Sequence, residues 1–98
     1  MKSKVNRNFK ILIVDDDPDI LFATNRVIKS AGFDTSEAMD GATCLKAVSE
    51  HTPDLILLDV ELPDADGRDL AREIKAQPLE NHPYIVMLSG KKISSDDQ

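Results

Sequence analysis

Acidic side chains gather in two short runs of this 98-residue sequence. ILIVDDDPDI places Asp15, Asp16 and Asp17 directly after an apolar stretch. LILLDVELPDADG places Asp59 at the end of a second one, with Glu61 two residues on. A third apolar stretch, in YIVMLSG, ends on Ser89. Several carboxylates together suit a hard cation, and Mg2+ commonly keeps waters and borrows oxygens from a phosphate. A carboxylate beside such a cation can also attack phosphorus and become an aspartyl phosphate. That chemistry requires residues 15, 16, 59 and 89, far apart in the chain, to meet in one place.

The surrounding elements can bring them there. Lys10 to Val14 (KILIV) is short and β-branched, as for a strand buried on both faces. Asp17-Pro18 opens a helix, aspartate as N-cap and proline at the first helical position. Ile20, Thr24, Val27 and Ala31 recur at helical spacing with Leu21 and Ile28 beside them, and Gly32 stops the helix. Phe33 to Ala38 reads as a weaker, edge-like strand, and Asp40-Gly41 as a turn. Ala42 to His51 forms a helix with Cys44, Leu45 and Val48 on one face, closed by Pro53. Asp54 to Asp59 is a second fully buried strand. Gly67 to Gln77 is a short helix with Leu70, Ala71 and Ile74 inward, and Tyr84 to Ser89 is a third apolar strand. The order βαβαβαβ predicts a parallel sheet with right-handed crossovers and helices on both faces. In such α/β sheets function gathers at the carboxyl ends of the strands. Adjacent strands lie about 5 Å apart, so the fold itself would assemble the carboxylates and the hydroxyl in one cup.

Bulk properties narrow the function classes. The length suits one domain. Net charge is -6, which disfavours direct nucleic-acid binding. No run of eighteen apolar residues suggests a membrane span, and no apolar segment follows the basic N-terminus to make a secretory signal. The single cysteine, Cys44, cannot form an internal disulfide, so a reducing cytoplasm is the expected compartment.

ILIVDDDPDI, LILLDVELPDADG and IVMLSG, in this order and spacing, resemble the receiver domain of bacterial two-component response regulators, over essentially the whole chain. The resemblance implies a CheY-like, flavodoxin-like fold with sheet order 2-1-3-4-5. It implies Asp59 as phosphoacceptor, Asp15 and Asp16 as the acidic pair holding Mg2+, and Glu61 as a metal ligand through its backbone carbonyl. Ser89 stands where the family uses Ser or Thr to follow the phosphoryl group. The implied partner is a sensor histidine kinase or a histidine phosphotransfer protein.

One departure stands out. The family continues with a helix, a fifth strand carrying a lysine, and a last helix. Lys91 and Lys92 follow Ser89 too closely to be that lysine and are read as solvated. The expected domain, 1–98, is therefore a receiver with sheet order 2-1-3-4, lacking the fifth strand and last helix. Tyr84 to Ser89 would then be an apolar edge strand, open to homodimerisation or swapping. Other residues take plain structural readings: Asp17 as N-cap, Asp64 and Asp66 as turn and cap residues, His51 and His82 as surface residues, Cys44 as a small core residue. Two other functions compete with a signalling switch. A Mg2+-dependent phosphatase with an aspartyl nucleophile would want its nucleophile on the first strand and room for a cap domain. A docking-only pseudo-receiver would have no use for the acidic residues.

Overall fold

The computed structural model describes residues 8–88. Four strands and three helices alternate: β1 (Lys10–Val14), α1 (Pro18–Ser30), β2 (Asp34–Ala38), α2 (Gly41–His51), β3 (Leu55–Asp59), α3 (Gly67–Ala76) and β4 (Tyr84–Leu88). The strands form one parallel sheet in the order β2-β1-β3-β4. This is the flavodoxin-like arrangement expected from the sequence. Ser89, Lys91 and Lys92 lie outside the described residues.

β1 is central, and its alternating side chains feed two cores. Leu12 and Val14 join Ile56 and Leu58 of β3 beneath α2 and α3, which contribute Cys44, Val48, Leu70 and Ile74. Ile11 and Ile13 face the other way, against Leu21 of α1, with Ile28, Leu55 and Leu57 packed around them. Fully burying one such aliphatic side chain stabilises the fold by about 1.5–3 kcal/mol, so the run of fully buried residues under α2 and α3 is the main apolar support. Cys44 lies in that core as a reduced thiol. Burial pushes it up to about 12, with the charges of Asp40 and Asp64 adding to the effect. It is therefore a core residue, as read from the sequence, and not a nucleophile.

The helix ends follow local chemistry. Asp17 caps α1, accepting the N–H of Asp19 at 2.9 Å and of Ile20 at 3.4 Å. Gly32 takes φ +99° just past the α1 C-cap, the conformation that favours glycine there. Asp40 caps α2, and Asp66 caps α3.

The buried stripe of α1 differs from the expected one. Leu21 is buried and Ile28 packs on the sheet, whereas Val27 is 68% exposed and Ala31 is exposed. The helix is rotated so that Asn25, next to the expected Thr24, also turns partly inward. Asn25 Oδ1 there accepts the hydroxyl of Thr35 at 2.9 Å, and its amide donates to Glu37, both on β2. These polar links to the edge strand replace the apolar contacts that the stripe implied. β3 also departs from its expectation of full burial: Leu55 and Leu57 are only half-buried, since α1 is the one described helix on their side of the sheet. Beyond them Tyr84, Val86 and Leu88 of β4 are exposed. His51 and His82 are exposed as expected.

Candidate functional site

β1 and β3 deliver their acidic residues side by side. Val14 pairs with Leu58, so Asp15 and Asp59, the next residue on each strand, leave the sheet as neighbours. Both are almost fully buried, at 5% and 3% exposure, while Asp16 is exposed. One carboxylate oxygen from each of Asp15, Asp16 and Asp59 lies within 4.8 Å of the other two. Two ionised carboxylates at that separation repel by about 3–4 kcal/mol at an effective dielectric of ~20. Polar neighbours offset part of this. Asp15 Oδ1 accepts the N–H of Asp17 at 2.9 Å, and Asp59 Oδ1 accepts the N–H of Glu61 at 3.2 Å. The all-oxygen donor set and concentrated negative charge fit a hard divalent cation and do not suit a soft metal.

The acidic cup has two walls. On one side the N–H of Asp15 donates to Ala38 O at the end of β2, at 3.1 Å. On the other, residues 60–66 fold into a tight loop. Val60 N–H reaches Leu88 O at 3.0 Å, Leu62 N–H reaches Ala65 O at 3.2 Å, and Gly67 N–H returns to Val60 O at 2.6 Å. Glu61 and Asp66 form an isolated antiparallel bridge across it. A Cβ on Gly67 would sit 2.4 Å from Asp59 O and 2.9 Å from Val60 Cα. Only glycine lets α3 begin this close behind Asp59.

Asp66 holds the first turn of α3 and its own neighbour together. It accepts the N–H of Arg68 at 2.8 Å and pairs with the guanidinium at 2.9 Å. The side-chain hydrogen bond from Arg68, then the backbone one, lowers its carboxyl to about 2. Asp64 does something the sequence did not announce: it accepts N–H groups from the start of α2, 22 and 23 residues earlier. A cavity of about 730 Å3, lined by Phe9, Asp54, Leu79 and His82 among others, lies at the amino ends of the strands. It is at the opposite end of the sheet from the carboxylates.

Residues 11–98 match the response regulator receiver domain family. The chain belongs to that family. Within it, the chain is 41% identical over 87 residues to the DNA-binding response regulator MtrA of Mycolicibacterium smegmatis. It is 35% identical over 89 residues to the transcriptional regulatory protein PrrA of Mycobacterium tuberculosis. These alignments cover 89% and 91% of the chain but only 37% of either relative. A CheY-like receiver domain from Methylobacillus flagellatus superposes with TM-score 0.82 at 27% identity, over 93% of this chain and 77% of that one. The BeF3-activated N-terminal receiver domain of Klebsiella pneumoniae RstA gives 0.72 at 30% identity, over 82% and 66%. The receiver domain is thus a module of two-component signalling. No described helix is long and apolar enough to cross a membrane.

Of the site residues proposed from sequence, Asp15, Asp16 and Asp59 come together and Glu61 sits beside them on the adjoining loop. Gly67 and Asp64 were missed as contributors to the site. A glycine at the first position of a helix, where it is a poor helix former, was the available signal for Gly67. For Asp64 the local sequence offers only a turn aspartate.

Proposed function

We propose that this receiver accepts a phosphoryl group on Asp59 from a histidine kinase or histidine phosphotransfer protein, with Mg2+ as cofactor. The observation that carries the reading is the convergence of Asp15, Asp16 and Asp59 oxygens within 4.8 Å at the carboxyl end of a receiver-family sheet. Asp15, Asp16 and Asp59, with the Glu61 carbonyl, would hold Mg2+. Bound there, the cation would neutralise phosphoryl charge.

The chain's own residues supply the rest. An Asp59 carboxylate oxygen attacks phosphorus, and the bond from phosphorus to the donor's histidine nitrogen breaks, leaving the electron pair on that nitrogen. Burial of Asp59 at the end of a rigid strand fixes the direction of attack. Gly67 lets α3 pack directly behind the nucleophile's own carbonyl. Ser89 follows Leu88, the residue paired with Asp59. It is proposed as the hydroxyl that hydrogen-bonds the phosphoryl group and relays its presence. The switch acts in the cytoplasm and makes no direct contact with nucleic acid, in keeping with the net charge of -6. The exposed face and edge of β4 offer a contact for a second copy of the chain.

Intact mass after incubation with Mg2+ and acetyl phosphate tests the central step, with Asp59→Ala in parallel. One phosphoryl adduct is expected on the wild type and none on the variant. A folded wild-type chain without an adduct, or an adduct that survives in Asp59→Ala, would remove Asp59 from the role.

A further inference from the structure

Asp64 lies on the loop that carries Glu61, but its carboxylate belongs physically to α2. Its Oδ1 accepts the N–H of Gly41 at 2.7 Å and its Oδ2 that of Ala42 at 3.1 Å. The helix's own cap, Asp40, uses its carboxylate on the N–H of Thr43 at 2.8 Å. The first three N–H groups of α2 are therefore shared between two aspartates, one local and one from 23 residues away. A carboxylate is favoured at this end of a helix by both hydrogen bonding and the helix dipole.

The junction is also sterically closed. Gly41 is buried, and a Cβ there would meet Ala65 Cβ at 3.1 Å and Asp64 Oδ1 at 3.2 Å. The loop and the helix start are pressed together, so residues 64 and 65 cannot drift toward α2. Within the loop, the Leu62–Ala65 hydrogen bond and the Glu61–Asp66 bridge transmit that fixed point to Glu61. On the other side of the cup, Ala38, three residues before Gly41, accepts the N–H of Asp15. One short segment, Ala38 to Ala42, thus anchors both Asp15 and the loop bearing Glu61.

We infer that Asp64 is a positioning residue for the cation site: by clamping the 60–66 loop to the α2 N-terminus it holds the Glu61 carbonyl in line with Asp15, Asp16 and Asp59. The inference rests on the Mg2+ reading given above. Asp64 touches neither the cation nor the phosphoryl group. Residues that orient ligands in this indirect way change metal affinity by about 10–100-fold when removed.

The test is Mg2+ titration of the 98-residue chain followed by amide chemical shifts, which needs no phosphorylation. Asp64→Ala is expected to weaken Mg2+ binding about tenfold. Asp64→Asn, which keeps one acceptor oxygen, is expected to fall between it and the wild type. Asp40→Ala is the matched control, since it also strips a cap from α2 but removes a side chain whose described hydrogen bonds go to Thr43 and not to the loop; it should lower thermal stability and leave Mg2+ affinity unchanged. Equal affinity in Asp64→Ala and wild type overturns the inference while leaving the Mg2+ reading intact, and so does an equal loss in Asp40→Ala. A wild type that binds no Mg2+, or binds it undiminished in Asp16→Asn, overturns both.

Discussion

At the scale of single residues, the site depends on two kinds of position. Asp15, Asp16 and Asp59 carry the charge, and each was legible because it stands where an apolar strand stops. Gly67 carries no chemistry, yet the backbone at Asp59 depends on it. Replacing Gly67 by Ala would ordinarily improve a helix by up to about 1 kcal/mol. Here the new methyl group would lie 2.4 Å from Asp59 O and 2.9 Å from Val60 Cα. Both atoms are backbone and cannot rotate away. The clash outweighs the helical gain, since forced overpacking costs about 1–3 kcal/mol. Gly67→Ala is expected to be destabilised by about that amount in a urea titration monitored by circular dichroism. Unchanged or raised stability would show that the loop yields easily and that α3 does not fix Asp59. The sequence could not display this contact, because it is made with main-chain atoms and leaves no side-chain pattern.

At the scale of elements, the strands were the most legible part. KILIV and LILLD lack polar alternation because both of their faces are covered to some degree, and their shortness, bounded by turn and cap residues, identifies such runs. The helix α1 was placed correctly in the chain, but only part of its expected inward face holds: Leu21, Thr24 and Ile28 turn in, whereas Val27 and Ala31 do not. Asn25 turns partly inward through hydrogen bonds to β2, so hydrophobicity was an incomplete guide to its orientation. The cap of α3 gives a pH-dependent expectation. The Asp66 carboxyl stands at about 2 in the folded chain, held down by Arg68, against about 3.9 for an unperturbed aspartate. A carboxyl lowered on folding adds stability above its unfolded value and loses that contribution as pH falls toward the folded one. Asp66→Asn keeps a good N-cap but loses the charge pair. The wild type should therefore melt above the variant near pH 6, with the gap closing between about pH 4 and 2. Because the pair is exposed, the gap will be small and will shrink with added salt. A gap that ignores pH would assign the effect to cap geometry alone.

At the scale of the whole molecule, the two faces of the sheet are unequally covered. Under α2 and α3, Leu12, Ile56, Leu58 and Ile74 are sealed from water. On the α1 side, Tyr84, Val86 and Leu88 are 75%, 43% and 38% exposed, next to half-buried Leu55 and Leu57. β4 also occupies one edge of the described sheet. An apolar stripe beside an edge of the described sheet favours association, because a second copy can cover side chains and satisfy edge hydrogen bonds together. The 98-residue chain is therefore expected to show a scattering mass that rises reversibly with concentration. Val86→Lys should lower that mass toward the monomer, since a lysine in the stripe resists burial in a contact. The same substitution should leave Asp59 phosphorylation unchanged, as Val86 pairs with Leu57, two residues before the strand end that adjoins the site. A mass that stays monomeric at every concentration would show that half-covered leucines and one exposed strand are not enough to hold two copies together.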